Sequence, residues 1–428
     1  MKIELSYGRD GLMVDLPDDL EALVIRKPEM PVLRDPAAAV RDALARPVDA
    51  PPLAELARGK RSACILICDV TRPVPNALFL RPMIETLLGA GVPKDGITVL
   101  VATGLHRPNE GDELAEVVGD PWVIQNVRAR NHFARDDAMH VDLGFTPNRK
   151  VPVKIDRRFI EADLKIATGL VEPHFMAGYS GGRKVIAPGV AHKDTITTFH
   201  SARFMEDPKA ANCVLEGNPL HEEQVAIAGM IGGVLALNTV IDEHRQLSFV
   251  NFGEIVRSHL LAVAHIDAYA RVPVPRQYQT VVTTAAGHPL DKTYYQTIKG
   301  MVGPLDIMAE GGDLIIASAC SEGMGSAEFI DAQRRLVQNG AGRFLEEILQ
   351  KRFADIDEWQ TEMQLKPMRI GQVKLFTQGL DESTRPLTGV DLVPSVEEAV
   401  RASVARSGDR HVAIIPEGPY VVPSYQPG

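Results

Sequence analysis

Short apolar runs recur along the chain, and each ends in a loop rich in polar residues, glycine and proline. Their length and their β-branched content predict buried strands. A helical pattern at 80–91 stops at Gly91-Val-Pro93 and separates two of these runs. The runs lie at 62–68, 97–102, 162–167, 280–284, 313–319, 373–377 and 411–416. Strands that alternate with helices form βαβ units, so the pattern predicts an α/β fold with mostly parallel sheets.

The domain organisation follows from chain length and from one proline-containing stretch. A chain of 428 residues is longer than one ordinary core. The stretch 264–279 contains Arg271-Val-Pro-Val-Pro-Arg276 and predicts a linker. We therefore predict two α/β domains with an active-site cleft between them. The N-terminal domain covers 1–268, with the tail 408–428 as a candidate addition, and the C-terminal domain covers 269–407.

Composition excludes several classes of partner. The formal net charge is −10, and no block of lysine and arginine stands out, so we expect neither nucleic acid nor a membrane as partner. The four cysteines have neither CxxC nor zinc-site spacing, which favours free thiols in a reducing compartment. The first residues lack the apolar core of a signal peptide, and no run of about 18 apolar residues is present. We expect a cytoplasmic protein.

The loops that follow the predicted strands carry candidate chemistry. In parallel sheets ligands bind outside the carboxyl ends of the strands, so Asp69, Arg72, His106 and His174 could share one crevice. Arg72 could bind a carboxylate or a phosphate through its planar guanidinium group. The two histidines each follow an Ala-Thr-Gly-Leu segment and suit acid–base work. Two bases on opposite faces of a substrate are what racemisation needs.

A glycine-rich loop, Gly178-Tyr-Ser-Gly-Gly-Arg-Lys184, adds a lysine to this set. Its glycines allow backbone N–H groups to approach an anion, but the spacing is not that of a P-loop. Lys184 could form a Schiff base, contact a phosphate or tether a cofactor covalently. His200 could bind a metal, although no HExxH or paired-cysteine framework supplies further ligands. Any other ligands of such a metal would come from a non-protein group.

A further cluster lies in the predicted C-terminal domain. Tyr295 and Lys299 are four residues apart and share one face of a predicted helix, where they suit a substrate's hydroxyl and carboxylate or form an ordinary amphipathic surface. Trp359 is a candidate wall of the cleft or a core residue.

Together these motifs resemble the nickel-dependent lactate racemase family of 2-hydroxy acid racemases and epimerases. The resemblance spans nearly the whole chain, and six motifs occur in the same order. They are Asp69-Val-Thr-Arg-Pro, Ala102-Thr-Gly-Leu-His-Arg-Pro, Glu172-Pro-His, Gly178-Tyr-Ser-Gly-Gly-Arg-Lys, His200, and Pro289-Leu-Asp-x-x-x-Tyr-Gln-x-x-Lys299.

The resemblance implies a nickel-pincer nucleotide, a pyridinium-3-thioamide-5-thiocarboxylic acid mononucleotide that carries nickel. It implies Lys184 as the covalent tether and His200 as a nickel ligand, with the N-terminal domain binding the cofactor. Cofactor contacts would come from Asp69, Thr71, Ser180, Gly181 and Gly182. Enzymes of cofactor biosynthesis and nickel insertion are implied as partners.

The activity implied by the resemblance is inversion at C2 of a 2-hydroxy acid by reversible hydride transfer. His106 and His174 would exchange the hydroxyl proton, one on each face. Arg72 and Lys299 would hold the carboxylate, and the C-terminal domain would close over the substrate. Substrate contacts are expected from Tyr295, Gln296 and Trp359.

Two other interpretations of the same residues stay open. The chain could be a lysine-dependent lyase or aldolase in which Lys184 forms a Schiff base without a metal. It could also be a non-catalytic module that stores or delivers a nucleotide. The sequence leaves open which 2-hydroxy acid is used, whether the product is an enantiomer or an epimer, and the oligomeric state.

Overall fold

The computed structural model describes residues 1–427 as an α/β protein, which confirms the predicted fold class. The strands are, in chain order, β1 (Lys2–Leu5), β2 (Leu12–Asp15), β3 (Glu21–Val24), β4 (Ala63–Cys68), β5 (Ile97–Ala102), β6 (Arg128–Asn131), β7 (His140–Phe145), β8 (Pro152–Asp156), β9 (Leu164–Leu170), β10 (Pro173–His174), β11 (Gly178–Tyr179), β12 (Val234–Ile241), β13 (Leu247–Glu254), β14 (Arg271–Val274), β15 (Tyr278–Thr284), β16 (Met308–Ala317), β17 (Gln372–Phe376), β18 (Asp391–Leu392), β19 (His411–Ile414) and β20 (Val422–Tyr425).

The helices occupy much of the chain between these strands. They are α1 (Pro36–Ala45), α2 (Leu53–Leu56), α3 (Asn76–Gly89), α4 (Gly111–Val118), α5 (Pro121–Asn126), α6 (Arg157–Ile160), α7 (Lys193–Phe199), α8 (Ala202–Met205), α9 (Pro219–Ile231), α10 (Ile255–Ala270), α11 (Tyr294–Val302), α12 (Ala327–Asn339), α13 (Ala341–Leu349), α14 (Glu358–Ile370) and α15 (Val396–Ser407). Among the helices of residues 1–427, none is long and apolar enough to cross a membrane.

The chain forms two compact units. The larger unit comprises residues 29–199 and 209–268, and the smaller unit comprises 1–28, 200–208 and 269–427. This division differs from the predicted domain limits, because the N-terminal segment and 200–208 group with the C-terminal part of the chain. The tail also belongs there, since β19 pairs with β15 and with β3 in one sheet.

The larger unit is built on a six-stranded sheet in the order β13-β12-β9-β4-β5-β6. Its strands are parallel except for β13, which pairs antiparallel with β12. The near-continuous apolar run of β4 is buried, as expected for a parallel strand covered on both faces. Helices α1, α3 and α5 supply much of the apolar core beside this sheet.

The smaller unit contains a second six-stranded sheet, in the order β18-β17-β16-β15-β19-β3. All of its neighbouring strands are parallel. The predicted linker at 264–279 is wrong, because this segment holds the end of α10, strand β14 and the start of β15. Pro273 is tolerated in β14 because that strand belongs to a two-stranded sheet with β20.

Strand order places the candidate loops of the larger unit together. The chain runs outward from β4 to β5 and β6 on one side, and β9 lies on the other side of β4. The loops that follow β4 and β9 therefore leave the sheet at the point where the strand order reverses, which is where ligands bind in open α/β sheets.

Three buried imidazoles lie close together in the larger unit, next to the loop that follows β5. The ring centroids of His132 and His140 are 5.1 Å apart, and those of His140 and His192 are 4.9 Å apart. The His132 carbonyl accepts a hydrogen bond from Thr103 Oγ1 at 2.8 Å, so the cluster supports the loop that follows β5. Burial lowers the pKa of both His140 and His192, because it disfavours the charged ring.

We expect this cluster to make the protein less stable in acid. A histidine whose folded-state pKa is depressed stabilises the fold above its unfolded pKa of about 6.5, and that stability is lost as the pH falls below it. The carboxylates of Asp137 and Asp194 near His192, and that of Asp156 near His140, oppose this loss only in part.

The check is the melting temperature measured between pH 7.5 and 5.5. The wild-type protein should lose more stability over this range than His140→Gln, which has one imidazole fewer to protonate. Equal slopes for the two proteins would contradict the assignment.

Candidate active site

The first element of the site is a buried carboxylate beside a loop histidine. Asp69 follows β4 directly and is 5% exposed. Its Oδ1 accepts hydrogen bonds from Thr71 Oγ1 at 2.6 Å and from the Thr71 backbone N–H at 3.3 Å. Its Oδ2 lies 2.7 Å from His106 Nδ1. Burial alone would raise the pKa of Asp69, but the hydrogen bonds from His106 and Thr71 outweigh burial and hold that pKa below its ordinary value.

An ion pair connects the loops after the two neighbouring strands. Arg72 Nη1 lies 2.9 Å from Glu172 Oε1, and both side chains are about a quarter exposed, at 27% and 24%. The sequence predicted Arg72 as an anion-binding group and assigned no role to Glu172, although Glu172 lies in the quoted Glu-Pro-His motif. A lone glutamate in a loop carries no signal of its own, and only the strand order brings it to Arg72.

The second histidine lies in a tight hairpin made by β10 and β11. His174 is 8% exposed, and its Nδ1 accepts hydrogen bonds from the backbone N–H groups of Met176 and Ala177, each at 3.2 Å. His174 follows the last residue of β9 by four positions, and His106 follows the last residue of β5 by the same distance. The repeated Ala-Thr-Gly-Leu segment itself differs in placement, since it ends β9 but extends past β5.

The glycine-rich loop packs tightly against the sheet. Ser180 Oγ donates to the Leu170 carbonyl at 2.7 Å, which fixes the loop to the end of β9. Gly181 and Gly182 have φ angles of +76° and +48°, in the left-handed region that favours glycine. A Cβ at Gly181 would come within 2.6 Å of Val171, and one at Gly182 within 2.9 Å of the His259 ring. These glycines are therefore required for packing, a reason that the sequence did not reveal.

Two cations follow the glycines. Arg183 is 1% exposed and donates from Nη2 to the carbonyls of Ala177 and Tyr179, each at 3.1 Å, while its Nη1 lies 2.8 Å from His259 Nε2. Burial lowers its pKa to about 9. The pKa of Lys184 is lowered to about 7, first by burial and then by the charge of Arg72. Lys184 is thus an amine that is largely unprotonated slightly above neutral pH.

The remaining predicted residues lie in the smaller unit. Tyr295 and Lys299 are both on α11, and Tyr295 packs edge-on against Phe329 with ring centroids 5.2 Å apart. Among residues 1–427 the buried Gln296 Oε1 has no hydrogen-bond partner, so it is available to a ligand. His200 lies against Trp359, with ring centroids 4.9 Å apart. Trp359 is 8% exposed and is the second residue of α14, after Glu358.

The predicted residues thus fall into two groups, one in each unit. The larger unit carries Asp69, Thr71, Arg72, His106, His174, Ser180, Gly181, Gly182 and Lys184, and the smaller unit carries His200, Tyr295, Gln296, Lys299 and Trp359. Within residues 1–427 no group of three or more His, Cys, Asp or Glu side chains could hold a metal ion. A metal here would therefore need ligands from another molecule.

We expect the Lys184 amine to titrate near pH 7 in the protein without cofactor. Its rate of acylation by an activated ester, measured against pH by peptide mass spectrometry, should reach half its maximum close to that value. Exposed Lys150 in the same unit provides the internal reference. In Arg72→Met the midpoint should move upward, because the charge that disfavours the ammonium is removed. A midpoint near pH 10 in the wild type would contradict this description.

Known proteins resemble the chain along nearly its whole length. The model of the lactate racemase N-terminal domain matches residues 7–212, and that of the lactate racemase C-terminal domain matches 275–422. A lactate racemase from Lactiplantibacillus plantarum is 30% identical over 382 residues, which are 89% of each chain. A lactate racemase from Thermoanaerobacterium thermosaccharolyticum is 28% identical over 435 residues and 98% of each chain.

The chain also resembles solved structures. The lactate racemase apoprotein from Thermoanaerobacterium thermosaccharolyticum superposes with a TM-score of 0.89 at 28% identity, over 99% of this chain and 100% of that one. A protein from Thermotoga maritima shares the fold, with a TM-score of 0.68 at 18% identity over 91% of this chain and 98% of that one. The chain therefore belongs to the lactate racemase family and is an isomerase.

Proposed function

We propose that the protein inverts C2 of a small 2-hydroxy acid of the lactate type, using a nickel-pincer nucleotide. The observation that carries the proposal is the set of groups at the carboxyl ends of β4, β5 and β9. Three groups follow strands of one sheet there: a histidine hydrogen-bonded to a carboxylate, a second histidine, and a lysine whose pKa is about 7. The lactate racemases among its relatives favour lactate as the first acid to test.

The residues present fit the nucleotide in two respects. Lys184 is an amine of lowered pKa, and within residues 1–427 no carboxylate forms an ion pair with it, which suits covalent attachment through nitrogen. The residues described here offer no metal cluster of their own, which suits a nickel ion held mainly by the nucleotide, with His200 as the protein ligand. When bound, this group supplies reversible acceptance of the C2 hydride.

The chain's own residues then have distinct tasks. His106 and His174 exchange the substrate hydroxyl proton, and Asp69 orients the His106 ring. Arg72 attracts the substrate carboxylate while Glu172 limits its motion. Thr71 and the loop of Ser180, Gly181 and Gly182 contact the nucleotide through hydroxyl and backbone groups.

The smaller unit supplies further groups to the same reaction in this proposal. Lys299 neutralises the carboxylate, and Tyr295 and Gln296 orient the substrate, with the unpartnered Gln296 Oε1 as acceptor. Trp359 forms an apolar wall beside His200. Enzymes that make the nucleotide and insert nickel are the partners that this function requires.

The first test is the composition of protein co-produced with the enzymes of pincer-nucleotide biosynthesis. We expect a covalent adduct that maps to Lys184 and about one nickel per chain, since the amine is positioned and unprotonated. Intact mass and metal analysis provide the measurement, and Lys184→Arg provides the unmodifiable control. Unmodified, nickel-free protein from a host proven to make the nucleotide would overturn the cofactor assignment.

The lowered pKa of the Lys184 amine, about 7, also suits a second candidate function, that of a lysine-dependent lyase. That function predicts that borohydride traps a 2-keto acid on Lys184 in nickel-free protein. Trapping together with bond cleavage, and without racemisation, would favour the lyase.

The second test concerns the two histidines. His106→Ala and His174→Ala should each lower kcat by about 10²–10⁴-fold while the cofactor stays bound, because each removes a proton-transfer group. Exposed His244→Ala in the same unit is the matched control and should keep full activity. Racemisation is followed by chiral chromatography with lactate, malate and longer 2-hydroxy acids. Undiminished turnover in either variant would exclude that histidine from the reaction.

A further inference from the structure

The two histidines of the site have opposite hydrogen-bonding environments. We infer that, when both rings are neutral, His106 presents a proton acceptor at Nε2 whereas His174 presents a proton donor at Nε2. This inference deepens the proposed function and rests on it for its catalytic consequence. The hydrogen-bond geometry itself is independent of any reaction.

The acceptor character of His106 follows from its partner. Asp69 is buried and ionised, and both hydrogen bonds from Thr71 go to its Oδ1, which leaves Oδ2 for His106. A carboxylate oxygen accepts, so Nδ1 of His106 carries the proton and donates it. In a neutral ring the other nitrogen then has the free lone pair.

The donor character of His174 follows from the backbone around it. The N–H groups of Met176 and Ala177 both point at Nδ1, and an N–H can only donate, so Nδ1 holds the lone pair. The proton of the neutral ring must then be on Nε2. A second proton on Nδ1 would face both of these donors.

One of the two backbone donors is held in place through its own peptide group. The Ala177 N–H shares a planar peptide group with the Met176 carbonyl, which accepts from Asn218 Nδ2 at 2.9 Å. This peptide group cannot rotate without breaking that bond. Asn218 is therefore a positioning residue for the tautomer of His174.

The consequence is that the two enantiomers meet unlike groups. A hydroxyl that faces His106 finds a base, whereas one that faces His174 finds a hydrogen-bond donor. For His174 to take a proton at Nε2, its ring must first move a proton to Nδ1 and lose two backbone hydrogen bonds. Enantiomers have an equilibrium constant of one, so kcat/KM is equal in both directions, and the asymmetry must appear as matched differences in kcat and KM.

The direct test uses cofactor-free protein with ¹⁵N-labelled histidine and long-range ¹H–¹⁵N correlation at a pH where both rings are neutral. His106→Gln and His174→Gln assign the two rings. We expect a pyridine-type shift for Nε2 of His106 and for Nδ1 of His174. In Asp69→Asn, only the His106 pattern should change. A pyrrole-type shift for Nδ1 of His174 would overturn the inference, whether or not the protein is a racemase.

The kinetic test uses the loaded enzyme and the same two variants. A glutamine amide cannot transfer a proton, so each variant removes one proton-transfer group. Both variants should therefore lose about 10²–10⁴-fold in kcat. Undiminished turnover in either variant would overturn the catalytic consequence, and inactivity of the wild type would count against the proposed function while leaving the tautomer result intact.

Discussion

The adjacency of β4 and β9 is the constraint on which the site depends. Because the strand order reverses between them, the loops that follow both strands leave the same edge of the sheet side by side. The ion pair between Arg72 and Glu172 joins residues 100 positions apart in the chain and exists only through this adjacency. The glycine loop is fixed to the end of the same β9 by Ser180, so Lys184 is placed by that strand as well.

Apolar patterning predicted the strands well, because a parallel strand buried on both faces has few polar positions. The runs at 62–68, 97–102 and 373–377 match β4, β5 and β17 within a residue. The pattern failed at 264–279, where prolines in a short two-stranded edge pairing resemble a linker. The pattern also did not show that 1–28 and 200–208 group with the C-terminal part of the chain. That grouping, which includes the pairing of β3 with β19, depends on contacts between residues far apart in sequence.

The candidate residues could be named from motifs, but their contacts could not. The repeated placement of His106 and His174 after strands was readable in the sequence, whereas the bond between His106 and Asp69 spans 37 residues and needs the sheet. The backbone donors on His174 and the burial of Arg183 leave no mark in composition or spacing. Roles that depend on local spacing could therefore be predicted from the sequence. Roles that depend on burial and on contacts in the folded chain could not.

The environment of Arg183 explains why a buried cation with no carboxylate partner among residues 1–427 is tolerated. A fully buried guanidinium without a carboxylate is costly, and here carbonyl groups of the loop offset part of that cost. A carboxylate beside it would compensate the guanidinium charge, but it would also favour the ammonium form of the adjacent Lys184. The charge of Arg183 adds to burial and to the charge of Arg72 in lowering the pKa of Lys184, so a counter-ion beside Arg183 would raise that pKa.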